Sequence, residues 1–106
     1  MQTLGLVKRT YGGVEAAKKE IELFTSMRGK FDRGADMFDE IAATLDGSRV
    51  IKARRMAGIG RYMARTLSTA INIKHGAIAH FAGDKAAVLK WAKAEYANAK
   101  ATIPLV

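Results

Sequence analysis

The fold is decided by residues 48–74, which read SRVIKARRMAGIGRYMARTLSTAINIK. At about 100° per residue, most of the larger apolar side chains of this stretch fall on one side of a helix. Arg54, Arg61 and Arg65 fall almost opposite to them. The pattern predicts a long amphipathic helix with a basic stripe on one side and a core stripe on the other. The core stripe consists of Met56, Ile59, Met63, Leu67, Ala70 and Ile71.

Small residues also cluster on this helix. Ala53, Ala57, Gly60 and Ala64 lie near one another at helical spacing. Small side chains let a second backbone approach closely, so we expect ordinary tight helix packing at these positions.

Two shorter amphipathic helices are predicted before this stretch. The first begins at the glycine pair Gly12 and Gly13 and ends near Gly29. The second runs over residues 31–45, and Asp46-Gly47 after it is typical of a helix stop and a turn. Because the joint at Gly29 is short, the two are expected to form an antiparallel hairpin. The second helix has an acidic face, made of Asp32, Asp36, Asp39 and Glu40.

Residues typical of helix starts and ends mark the boundaries of the remaining elements. Ser48 is a plausible N-cap for the basic helix, and His75-Gly76 predicts its end. The connector 77–82 fits either a helical turn or a buried extended piece. Asp84 predicts the N-cap of a last helix over residues 85–100, which ends before Pro104. Its predicted inward residues are Val88, Leu89, Ala92, Tyr96 and Ala99.

These elements predict an all-α fold, a single domain built as a small bundle of about four helices. A chain of 106 residues suits one domain with one modest core. It contains no Cys, which excludes disulfides and thiolate metal sites and gives no sign of secretion. Lys or Arg interrupts every apolar stretch, so no transmembrane span is expected.

The charge of the chain is unevenly distributed. Residues 1–46 hold seven basic and eight acidic side chains, whereas residues 47–106 hold eleven basic and two acidic ones. No acidic residue lies between Asp46 and Asp84. The asymmetry favours a polyanionic partner that contacts region 49–74: nucleic acid, an anionic lipid surface or an acidic protein. The alternative is a solvated basic face that aids solubility.

Residues 56–67, MAGIGRYMARTL, resemble the helix-hairpin-helix motif of nucleic-acid-binding proteins. The resemblance implies that Gly58 and Gly60 form a turn whose backbone amides bind phosphate, and that Arg61 and Arg65 add phosphate contacts. The competing interpretation is a continuous helix in which two small residues lie at a helix crossing. We favour the continuous helix, although each Gly inside it costs about 1 kcal/mol relative to Ala.

No residue set predicts catalysis, a cofactor or a metal. His75 and His80 lack the Cys or carboxylate neighbours that would complete a zinc site. The acidic face has neither calcium-loop spacing nor a di-iron signature, and it fits better as a solvated face or as the partner of a basic surface. The Ser and Thr residues show no nucleophile signature. We therefore expect a protein that is not an enzyme.

The remaining candidates are protein contacts. Trp91 lies off the main apolar stripe of the last helix, as an interface anchor would, and Ile103, Leu105 and Val106 form an apolar tail. The first hypothesis is a non-catalytic structural or accessory subunit of a larger assembly, of mitochondrial or virion type, that contacts other protein subunits. The alternative is a nucleic-acid binder that uses Arg54, Arg61 and Arg65. A third hypothesis is a peripheral protein on anionic lipid.

The expected location is intracellular. Residues 1–11 carry Lys8 and Arg9 and no acid, which is weakly similar to an organellar transit peptide.

Overall fold

A computed structural model describes residues 13–106, and in that range the chain forms three α-helices and no strand. Helix α1 spans Val14–Ala42, α2 spans Ser48–Phe81 and α3 spans Lys85–Thr102. A 3₁₀ turn at Ile103–Leu105 follows. The predicted all-α class is confirmed, but the predicted count of about four helices is wrong. The segment similar to a transit peptide lies outside the described residues.

The count differs because α1 runs unbroken through Gly29. This glycine has no positive φ, and its backbone continues the helix on both sides. A glycine inside a helix costs about 1 kcal/mol relative to alanine. This cost is small against the stabilisation that the α1 face between Ala17 and Ala42 gains by packing along α2. The first two predicted helices are therefore one, and the hairpin predicted between them is wrong. The hairpin that exists joins α1 to α2 and turns at Gly47, whose φ is 60°.

Helix α2 also extends beyond its predicted end. It continues through Gly76 as far as Phe81, so most of the undecided connector is helical. Gly83, with φ of 74°, follows that end. The N-cap of α3 is Asp84, whose carboxylate accepts a hydrogen bond from the Ala87 amide at 3.0 Å, which confirms that prediction. Ser48 is not an N-cap, because Gly47 takes that place without a side-chain bond.

Helix α2 lies between the other two helices and runs antiparallel to both. Its antiparallel course against α1 shows in the ion pair of Arg54 with Asp39, near the turn that joins the two helices. Against α3, Asn98 donates to the Arg65 carbonyl at 2.9 Å. The described chain measures 60 × 23 × 16 Å and has a radius of gyration of 17.3 Å. A compact domain of this length would have about 13 Å, so the three helices form an elongated layer.

The core is built almost entirely of alanine. Fully buried large side chains are absent from the described residues. The predicted close packing of small residues is confirmed, because Gly60 lies against the α1 backbone at Phe31 and Ala35. Small side chains bring the helix axes together and leave little room between them for larger ones. The buried apolar residues are Ala17, Ile21, Ala35, Ala42, Ala53, Ala57, Ala64, Ile71 and Ala79.

The larger apolar side chains consequently lie outside this core. On α2, the predicted core stripe is wrong for Met56, Ile59 and Met63, which are exposed, although Ile71 is buried. On α3 the predicted inward face is wrong for Leu89 and Tyr96, which are exposed, whereas Val88 is half-buried and lines a groove with Asn72 and Gly76 of α2. The residues of α3 that face α2 are more polar: Trp91, Glu95 and Asn98.

Candidate functional site

The predicted basic stripe of α2 meets the acidic face of α1. Arg61 donates to Asp39 at 2.5 Å and to Asp36 at 3.1 Å. Hydrogen bonds from these two carboxylates, that of Asp39 foremost, raise the pKa of Arg61 further above its usual value. Two weaker ion pairs flank this contact, Arg65 with Asp32 at 3.8 Å and Arg54 with Asp39 at 4.0 Å. The three guanidinium groups thus hold α1 on α2 along one edge of the hairpin.

The glycine pair lies inside a continuous helix. Among the described residues, φ is positive only at Gly13, Gly47 and Gly83, so neither Gly58 nor Gly60 forms a turn. The continuous-helix interpretation is confirmed. A hairpin that exposes the amides of residues 58–60 to phosphate does not form here, since those amides belong to the α2 hydrogen-bond ladder.

A polar junction joins α3 to the hairpin on the same edge. Asn98 is buried and donates to the Thr69 hydroxyl at 3.0 Å as well as to the Arg65 carbonyl. Arg28 reaches across from α1 and donates to Ser68 at 3.2 Å. A groove of about 380 Å³ runs between these side chains. These bonds satisfy the Asn98 side-chain nitrogen and fix where α3 lies on α2, whereas the Asn98 Oδ1 is buried and has no hydrogen-bond partner among the described residues.

Trp91, a predicted interface anchor, packs within the chain. Its ring stacks on His75 with centroids 3.9 Å apart and planes 6° from parallel. Burial, and next the charge of Lys90, lower the pKa of His75 below its usual 6.5. The pair therefore belongs to the contact between α2 and α3, and a neutral imidazole is favoured there.

The opposite side of the hairpin carries an uncovered apolar surface, which we call the open face. Helix α3 contacts α2 through Arg65, Thr69 and Asn72, and at 100° per residue these point away from Met63. Ile59 is 51% exposed and Met63 is 38% exposed. The α1 contribution to the open face is Leu23, Met27, Phe31, Gly34, Phe38 and Ile41, and the α2 contribution is Met56, Ile59, Met63, Leu67 and Ala70.

The rims of the open face are basic. Lys30 on α1 and Lys52 and Arg55 on α2 are exposed, and within residues 13–106 none of the three forms an ion pair. Glu20 is the one α1 carboxylate at the angular positions of the open face, and it is paired with Lys74 of α2. The surface is therefore apolar in its centre and positively charged at its edges.

The predicted apolar tail is also uncovered. Ile103 is 67% exposed and Val106 is 85% exposed, whereas Leu105 is half-buried. The tail continues the exposed stripe of α3 that contains Leu89 and Tyr96. Its predicted docking on a neighbour stays a prediction.

Sequence reasoning assigned the open face to the core because it ranks Met, Ile and Phe above Ala as core residues. The signal that could have found it is the second stripe of α2, the small residues Ala53, Ala57, Gly60 and Ala64. A helix that has one stripe of small residues and another of large apolar residues has two faces to cover.

Neither a membrane span nor a metal site is recognisable in the described part of the chain. None of its helices combines the length and apolar character that crossing a bilayer requires. In residues 13–106, His, Asp and Glu side chains do not gather in a group of three that could hold a metal ion. Comparison of the chain with protein-family models, with curated proteins and with solved structures finds no match.

Proposed function

We propose that the protein is a non-catalytic helical subunit of a larger assembly and that it docks on a neighbouring protein through the open face. The observation that carries the proposal is the exposure of large apolar side chains on one side of both hairpin helices. The chain buries alanines and leaves Ile59 and Met63 in water, which is unfavourable for an isolated molecule.

The size of the open face fits a docking surface. Residues 23–41 of α1 span about 27 Å at 1.5 Å per residue, and two helices side by side are about 20 Å wide. The footprint is thus roughly 500 Å² before the relief of the side chains is counted, against about 800 Å² of accessible surface per partner in a standard interface. Contiguous apolar patches of a few hundred Å² mark interaction sites in soluble proteins.

Two substitutions on the face test the proposal. When a lysate of the cells that make the protein is separated by size, a tagged chain should elute with stoichiometric protein partners. Its apparent mass should be well above its own 11.5 kDa. The double variant Ile59→Glu with Met63→Glu should fractionate as the free chain, because two buried carboxylates without partners oppose docking. Both side chains are exposed in the free chain, so circular dichroism should be unchanged.

The matched control is Ile51→Glu. Ile51 is 60% exposed and lies on α2 outside the open face. This variant should stay in the complex. Free migration of the unmodified chain would disprove the subunit hypothesis, and retention of the double variant would disprove docking through the open face.

Nucleic-acid binding is the second candidate, and it now depends on different cations. Arg54, Arg61 and Arg65 are paired within the chain, whereas Lys52 and Arg55 form no ion pair with any residue of 13–106. No acidic residue lies within residues 47–83. If this surface binds phosphates, affinity for a short duplex should fall steeply with salt, and Lys52→Glu with Arg55→Glu should reduce the slope by about two units.

A mitochondrial or virion-type assembly stays a prediction.

A further inference from the structure

We infer that the occupant of the open face is an amphipathic helix of another protein, with its apolar stripe in the groove between α1 and α2 and with Asp or Glu along its two flanks. The inference rests on the proposed function and names the chemistry of the partner.

The relief of the open face fits a helix. Two antiparallel helices in contact leave a groove along their seam, and a third helix that fills it buries an apolar stripe against both. A dimple of about 140 Å³ lies beside the groove and is lined only by Gly34, Met37, Phe38 and Ile41. A Cβ built on Gly34 meets nothing within 4 Å, so the α1 backbone is open to an incoming side chain there.

The side chains around the seam are suited to adjust to such a partner. Met27, Met56 and Met63 lie on the two sides of the groove. Unbranched thioether side chains repack around an incoming helix at small energetic penalty. Phe31 and Phe38 are half-buried, so part of each ring stays exposed on the open face.

The rims determine the charge of the partner. Lys30 and Arg55 lie at the outer edges of the open face on α1 and α2, and Lys52 lies at the N-terminal end of its α2 stripe. All three lack a carboxylate partner in residues 13–106. A helix with acidic flanks places carboxylates on both rims at once. A helix with basic flanks would face positive charge on both sides of the groove. Repulsion between like charges across an interface is a usual way of excluding a wrong partner.

The same observations disfavour two other occupants. A second copy of this chain would bring its own basic rims to the interface and would oppose positive charge with positive charge. An anionic bilayer would pair with the cations, but the recess lined by Gly34, Met37, Phe38 and Ile41 would stay poorly filled against a flat lipid surface.

Synthetic peptides provide the test. Three labelled helical peptides of about 20 residues share one Leu/Ala stripe and differ only in their flanks, which are Glu, Gln or Lys. Fluorescence anisotropy with the full chain should give roughly tenfold tighter binding of the Glu peptide than of the Gln peptide at about 50 mM salt. The difference should shrink at about 500 mM salt, and the Lys peptide should not saturate.

Variants of the chain separate the two parts of the recognition. Met63→Glu should weaken the Glu peptide at least tenfold, because it puts a carboxylate in the groove, whereas Ile51→Glu should have no such effect. Lys52→Glu with Arg55→Glu should leave the Gln peptide unchanged and remove the advantage of the Glu peptide. That double variant alters the rim of α2 and keeps the groove intact.

Three results would overturn the inference. The first is equal affinity for all three peptides. The second is a dimer of the free chain in sedimentation that Met63→Glu dissociates, which would assign the face to a second copy. The third is tighter binding to vesicles containing phosphatidylserine than to any peptide. If any of these occurs while Ile59→Glu with Met63→Glu still releases the chain from its native complex, the proposed function stands and only the partner's chemistry is wrong.

Discussion

Two glycines that lie two residues apart on α2, and so point to nearly opposite sides of the helix, should respond to alanine substitution with stability changes of opposite sign. A Cβ built on Gly58 meets nothing within 4 Å. Because Gly58 lies in the interior of a continuous helix, Gly58→Ala should raise the free energy of unfolding by about 1 kcal/mol through helix propensity and a less flexible unfolded chain.

At Gly60 the same gain in stability from helix propensity is opposed by a steric clash of the added Cβ. The built Cβ lies 3.2 Å from the Phe31 carbonyl oxygen and 3.3 Å from the Ala35 Cβ. Both atoms belong to the α1 backbone or lie directly on it, so no side-chain rotation relieves the contact and the helices must separate. Overpacking of this kind costs about 1–3 kcal/mol, so Gly60→Ala should lower stability by about 1 kcal/mol net.

Urea and thermal unfolding followed by circular dichroism would measure the difference. The two variants should differ by about 2 kcal/mol, which is about 10 °C in Tm for a domain of this size. In an Ala35→Gly background, Gly60→Ala should be less harmful, because one of the two contacts is gone. Stabilisation of Gly60→Ala equal to that of Gly58→Ala would refute the close approach of α1 and α2 at this point.

Three further substitutions test individual contacts. Arg61→Ala should lower stability by at most about 1 kcal/mol at low salt and by less at high salt, because the pairs with Asp36 and Asp39 are partly solvated. Arg55→Ala, which breaks no pair, is its control in the same urea titrations. Asp84→Ala should cost about 1 kcal/mol through loss of the α3 N-cap, and Asp84→Asn should retain most of that amount. The pKa of His75 lies below 6.5 in the folded chain, so the unfolded chain takes up the proton first as pH falls. Stability should therefore decrease as pH falls below about 6.5, and His75→Phe should flatten that part of the profile; a profile identical to that of the unmodified chain would contradict the partly buried, neutral imidazole.

The helical class and several element boundaries follow from local chemistry. Asp84 caps α3 because a carboxylate before a helical stretch satisfies an amide that has no other partner. Asp46 and Gly47 mark the turn of the hairpin because the chain reverses there through a positive φ. These signals depend on neighbours in the sequence, and sequence is therefore enough to find them.

The continuity of α1 and the inward faces depend on contacts between distant residues. Gly29 is locally a helix breaker, and only the packing of the whole of α1 on α2 keeps it helical. On α3, Asn98 lies inward because Thr69 and the Arg65 carbonyl accept its hydrogen bonds, although hydrophobicity favours Tyr96. The location of the open face depends on the same choice, because the face is the side that packing through alanine leaves uncovered.

The placement of α2 between the other helices has a consequence for motion. Helices α1 and α3 each pack on α2, and a groove of about 380 Å³ lies between Arg28 of α1 and the α3 residues Ala94 and Ala97. Each outer helix can therefore detach without first disturbing the other. Helix α3 is the shorter one, and Asn98 is its only buried residue. Its amides should exchange with solvent in a separate, lower-energy opening, while the α1–α2 hairpin stays closed.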